Sequence, residues 1–228
     1  MFTSPHTSAA AVIGTKTATE TETRTEAETR PTTEASIHSL PASKRILDLV
    51  LGGTIAIAAS PLLMLCAAAV RITSRGPALH WSERVGKENR LFRMPKFRTM
   101  RVDTPQIATH LLTHPERYLT PIGALLRKTS LDELPQLISV LRGDLSLVGP
   151  RPALFNQDDL VALRTACGLH HLLPGITGWA QVNGRDELDI PVKVRYDAEY
   201  MAAQSLLLDL KILALTLWRV LRAEGVQH

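Results

Sequence analysis

Apolar and polar residues fall into separate blocks along this chain. Residues 1–35 alternate Thr with Glu and Ala, as in Thr17-Ala18-Thr19-Glu20-Thr21-Glu22-Thr23, almost without large apolar side chains. Such a segment buries too little surface to order itself, so a disordered tail is expected. It also lacks the basic start, apolar centre and small-residue cleavage site of a signal peptide. Residues 49–70, LVLGGTIAIAASPLLMLCAAAV, then run 22 positions without a charge, between Lys44 and Arg45 on one side and Arg71 and Arg75 on the other. An unbroken helix over that run would be about 33 Å long, enough to cross a bilayer. Ser60-Pro61 sits near its middle. The proline removes one helical hydrogen bond, and the serine hydroxyl can take up a backbone group set free. Similar basic density at both ends fits two geometries, a kinked span and a helix broken at Ser60-Pro61 that enters and leaves through one leaflet.

Downstream the periods shorten. Residues 78–128 read as extended pieces and helix joined by proline-bearing loops, and 134–141 as a short helix stopped by Gly143. Residues 145–148 lead into the turn Gly149-Pro150-Arg151-Pro152; 158–166 read as helix, and 174–184 as loop and strand. The last apolar block, residues 206–221 (LLLDLKILALTLWRVL), is helical. Its composition suits a helix lying in the headgroup plane, and equally an ordinary core helix.

At 228 residues and 45% hydrophobic, the chain holds one core with appendages. Net charge is +4, and because residues 1–35 carry five Glu against one Lys and two Arg, the remainder is about +6. An anionic partner follows: lipid headgroup, nucleotide or nucleic acid. Aromatic residues at 4% argue against base stacking on single strands. Cys66 and Cys167 show no CxxC spacing and are expected to be small buried hydrophobes in a reducing compartment. His110 and His114 have metal-ligand spacing, but no third ligand accompanies them and Pro115 disrupts the helix they would need.

The candidate chemistry centres on Asp132-Glu133, with Arg127 and Lys128 before it and Arg142 and Arg151 after it. Guanidinium groups beside two carboxylates would keep both ionised, ready to bind a divalent cation or attack phosphorus, while holding phosphate oxygens themselves. A structural reading stands beside this one. Ser130 and Glu133 fit a capping box, and Pro135 fits a helix capped by Asp132 better than one capped by Ser130. Further cations recur at Lys96-Phe97-Arg98, at Arg151 between prolines, and at Arg185 after Asn183-Gly184. Rigid flanks are useful for holding a phosphate. Neither G-x-x-x-x-G-K-[ST] nor G-x-G-x-x-G occurs, which argues against P-loop and Rossmann sites.

From Lys44 to Val226 the sequence resembles the monotopic bacterial phosphoglycosyl transferases, the bacterial sugar transferase family. The motifs that carry the likeness are Lys44-Arg45, Ser60-Pro61, Lys96-Phe97-Arg98-Thr99-Met100, Thr120-Pro121-Ile122-Gly123, Leu131-Asp132-Glu133-Leu134-Pro135-Gln136-Leu137, the run Gly143 to Pro152, and the run Pro174 to Arg185. The resemblance implies an α-rich α+β fold: a tail at 1–43, a re-entrant membrane helix with basic flanks at 44–75, and a small cytoplasmic catalytic domain with interfacial helices at 76–228. It implies transfer of a sugar-1-phosphate from a UDP-sugar to undecaprenyl phosphate through a phosphosugar ester on Asp132, with release of UMP and the start of surface glycan assembly. Glu133 would assist, Mg²⁺ would lie at Asp132 and Glu133, and Lys96, Arg98, Arg127, Arg151, Gln181 and Arg185 would bind substrate. Lys44, Arg45, Ser60 and Pro61 would serve the bilayer, at the cytoplasmic face of the bacterial inner membrane. No nucleic-acid partner is implied, and a homodimer is left open. The chain looks like the minimal catalytic form with an added polar tail. The competing reading is a membrane-anchored basic scaffold without catalysis.

Overall fold

The computed structural model of the protein describes residues 42–104, 114–184 and 188–222. Helix α1, Ala42–Thr73, covers the whole uncharged run and continues on both sides of Pro61. Residue 61 of a regular helix would donate its N–H to the carbonyl of Ile57; proline cannot, and Ser60 Oγ donates to that carbonyl at 2.8 Å instead. The serine thus satisfies the backbone group the proline orphans.

A hairpin of β1, Leu79–Val85, and β2, Leu91–Phe97, pairs His80 with Lys96 and Arg84 with Phe92. Helix α2, Gly123–Lys128, can start directly over the carbonyl of Thr99 because residue 123 has no side chain; a Cβ there would lie 2.1 Å from that oxygen. Leu131–Gln136 is a 3₁₀ turn leading into α3, Leu137–Arg142, which Gly143 ends in the left-handed conformation (φ 96°), as its sequence suggests. The next strand, β3 (Ser146–Val148), pairs in parallel with β4, Gly175–Thr177. Helices α4 (Asp158–Ala166), α5 (Trp179–Asn183), α6 (Ile190–Ala202) and α7 (Leu206–Arg222) complete a helix-rich domain. The sequence reading covers α4 and α7, places α5 in loop and strand, and does not foresee α6.

The main core joins Met94, Leu137, Val140, Leu145, Leu147, Val148, Val182, Tyr200 and Ile212, drawing on β2, α3, β3, α5, α6 and α7. A second cluster, Cys66, Val70, Phe97 and Leu126, holds the far end of α1. Helix α1 therefore lies along the domain on one stripe. Its other faces present Ile57 (77% exposed), Met64, Leu65 and Ile72 outward, and α7 does the same with Leu207, Leu217 and Trp218 while burying Ile212 and Asp209. Cys66 is buried as expected; Cys167 is exposed, because it follows the last turn of α4.

The flanking charges of α1 are engaged by the domain. Lys44 is 3% exposed and donates to Asp209 of α7 at 2.6 Å, and that carboxylate also accepts from Tyr200. Arg45 caps the end of α3 through the carbonyls of Val140 and Leu141. Asp48 accepts from Ser146 Oγ and the Leu147 N–H. These contacts hold α1 to the domain; the Lys44 charge is not displayed to solvent or lipid.

Candidate active site

Four segments converge on the acidic pair. The 3₁₀ turn carries Asp132 and Glu133, β2 carries Lys96, α2 carries Arg127, and the turn after β3 carries Arg151. The capping box does not form. Ser130 is left-handed (φ 55°) and makes no side-chain cap bond, and Glu133 turns to Arg151 instead. Asp132 lies inside the 3₁₀ turn and is 8% exposed.

The two carboxylates differ. Arg151 grips Glu133 in fork geometry, Nη2 to Oε1 at 2.7 Å and Nη1 to Oε2 at 3.4 Å. Burial pushes the Glu133 carboxyl up, but Arg151, Lys96 and Arg84 together outweigh it, and its pKa lies below the ordinary value. Asp132 has no salt bridge among the described residues. Burial, then the neighbouring Glu133 charge, push its pKa up to about 6, against the smaller pull of Lys96 and Arg127. The cations thus hold Glu133 low, whereas at Asp132 desolvation outweighs them and leaves a pKa that is raised but still below neutral. Lys96 is the mirror case: burial first, then Arg84 and Arg127, lower its pKa to about 8.

The mount of Arg151 is rigid. Three successive carbonyls are each occupied: Pro150 O by the Gly175 N–H at 2.9 Å, Arg151 O by Arg164 Nη1 at 2.8 Å, and Pro152 O by Arg84 Nη1 at 3.2 Å. Arg164 is itself fixed by Asp197, whose Oδ2 accepts from Nε at 3.0 Å and Nη2 at 2.7 Å. Asp197 is thus a positioning residue that acts through Arg164. Arg127 is steadied by donating to Thr99 Oγ1 at 2.9 Å.

Other expected residues lie elsewhere. Arg98 is buried, but its Nη2 donates to the carbonyl and hydroxyl of Ser74, so it ties down the end of α1 and does not join the acidic pair. The Gln181 amide is buried with neither end hydrogen-bonded, packed near Gly178. Arg185, Glu187 and His110 lie outside the described residues, and His114 pairs with Glu116 at 3.1 Å. Arg84 was not singled out by its sequence. The hairpin puts it on the same face as Lys96, where it acts on both Lys96 and Glu133.

The site is two carboxylates among four cations, a balance suited to an anionic substrate with several phosphate oxygens. Oxygen donors at Asp132 and Glu133 also suit a hard divalent cation.

The family model for bacterial sugar transferases matches residues 39–223. An uncharacterized sugar transferase, EpsL, of Bacillus subtilis (strain 168) is 42% identical over 185 residues, covering 81% of this chain and 90% of that protein. The UDP-glucose:undecaprenyl-phosphate glucose-1-phosphate transferase of Escherichia coli (strain K12) is 40% identical over 184 residues, 77% of this chain and 39% of its own length. The undecaprenyl-phosphate galactose phosphotransferase of Salmonella typhimurium is 36% identical over 198 residues, 80% and 41% respectively. The chain thus spans about two fifths of the length of these last two relatives.

Proposed function

Since the chain belongs to the bacterial sugar transferase family, we propose that it moves a sugar-1-phosphate from a UDP-sugar to undecaprenyl phosphate, with Asp132 as the nucleophile. The observation that carries the assignment is the contrast within the pair: Glu133 is held by Arg151, whereas Asp132 has no ion-pair partner among the described residues and lies among cations. An Asp132 oxygen attacks the sugar-bearing phosphorus, the bond from that phosphorus to the UMP oxygen breaks, and UMP leaves with the electron pair. Lys96, Arg127 and Arg151 stabilise charge on the phosphates as it shifts towards UMP. An oxygen of undecaprenyl phosphate then attacks the same phosphorus, which frees the Asp132 carboxylate and leaves the phosphosugar on the lipid. Asp132 and Glu133 would hold Mg²⁺, which when bound neutralises diphosphate charge. The lowered pKa of Glu133 suits it to that role better than to general-base work.

We also place α1 in one leaflet at the cytoplasmic face. It is the one described helix long and apolar enough to cross a membrane. Both its ends nevertheless rest on the same domain, Lys44 and Asp48 at one end, Cys66 and Val70 at the other. A domain on one side of the bilayer cannot hold both ends of a spanning helix, which supports re-entry. The outward apolar residues of α7 would seat the site at headgroup level, where a soluble donor meets a lipid acceptor.

The test is UMP release from a panel of UDP-sugars by detergent-solubilised protein with Mg²⁺ and undecaprenyl phosphate. Wild type is expected to release UMP from at least one donor, and Asp132→Asn from none while still fractionating with membranes. Release undiminished by Asp132→Asn would overturn the nucleophile assignment.

A further inference from the structure

The hairpin that carries Lys96 ends, at its other extremity, beside a cluster that the transfer reaction does not use. We propose that Glu88, His170 and His171 form a binding site for a divalent transition metal of the zinc class. One ligand atom from each lies within 4.8 Å of the others. They come from two segments distant in sequence, the loop between β1 and β2 and the 3₁₀ turn Leu169–His171 after α4.

Both segments are held from outside the cluster. The Gly86 N–H closes the hairpin loop on Arg90 O at 2.8 Å, and Asn89 Nδ2 ties it to Thr165 Oγ1 of α4 at 3.0 Å. Glu88 and Asn89 are both left-handed (φ 55° and 56°), a conformation costly for side chains with a Cβ, and it is the one that presents Glu88 to the histidines. On the facing side Gly168 (φ 72°) turns the chain and sets the two imidazoles side by side, ring centroids 3.9 Å apart.

The chemistry is selective. His171 Nδ1 lies 3.0 Å and 3.1 Å from the two oxygens of Glu88, close to the spacing of about 3.4 Å between donors that share one tetrahedral zinc. His170 adds a second imidazole, and its Nδ1 is buried without a hydrogen-bond partner. Two imidazoles and one carboxylate leave a fourth position for water. Imidazole donors favour zinc, copper or nickel over magnesium, so this site and the all-oxygen pair Asp132-Glu133 take different metals. A metal here would clip the tip of the hairpin to the turn after α4 and so stiffen the strand that delivers Lys96.

The experiment uses the full chain without an affinity tag, solubilised in detergent and stripped with chelator. Zinc is added in a calorimetric titration and in a thermal melt, with magnesium as the control cation. One zinc per chain is expected, with a rise in Tm of about 5–10 °C at a hundredfold excess over Kd and no rise with magnesium. Glu88→Gln, a conservative change at an exposed position whose fold is checked by circular dichroism, and His171→Ala should each weaken zinc at least tenfold. Absence of stoichiometric zinc binding by wild type would overturn the site. So would equal zinc affinity in wild type and both variants, which would put the metal on other histidines.

Discussion

Asp132 and Lys96 bracket neutral pH from opposite sides. If Asp132 attacks as the anion, as proposed, the rate should rise as pH climbs through about 6; if Lys96 holds phosphate as the cation, the rate should fall as pH climbs through about 8. The pH profile of kcat/KM for the donor is therefore expected to be a bell between those values. Arginine stays charged throughout this range, so Lys96→Arg should keep the ascending limb and lose the descending one. A descending limb unmoved by that change would belong to another group. At this scale the sequence shows the acidic pair and most of the cations around it, because adjacent carboxylates among arginines are legible as spacing. It does not show which carboxylate Arg151 takes, since that depends on the turn after β3 meeting the 3₁₀ turn in space. Arg84 is hidden for the same reason: only the hairpin register puts it, opposite Phe92, on the face that carries Lys96.

Helix α1 is locked to the domain by charges that would be equally at home in a membrane flank. Lys44 and Asp209 are both buried, so removing one leaves the other uncompensated. Lys44→Met should cost about 3–5 kcal/mol, roughly 10 °C in Tm for a domain of this size. The double variant Lys44→Met, Asp209→Leu should recover a large part of that loss in a thermal melt. A single variant as stable as wild type would contradict the lock. Helix α4 is legible because two aspartates open an ordinary helical pattern. Helix α6 is not, because its buried stripe of Val194, Asp197 and Tyr200 puts a carboxylate where the pattern calls for an apolar side chain. That carboxylate is inside because Arg164 meets it there.

For the whole molecule, the apolar sides of α1 and α7 and the cationic site suit the proposed work on phosphate beside a lipid surface. If α1 enters and leaves through one leaflet, Ser43→Cys and Arg75→Cys, both at exposed positions, should react with an impermeant thiol reagent from the same side. Exposed Cys167 is first replaced by Ser. Labelling from opposite sides would make α1 a span. The apolar run and its Ser60-Pro61 pair are readable along the chain; that both ends rest on one domain is not, since it depends on Asp48 reaching β3 and Cys66 reaching Phe97. The most direct measurement is the intact mass of the protein after incubation with Mg²⁺ and its UDP-sugar donor, without acceptor. A gain equal to one sugar phosphate on wild type, absent from Asp132→Asn and discharged by undecaprenyl phosphate, is the predicted result. Turnover without any such adduct, or an adduct that survives Asp132→Asn, would contradict it.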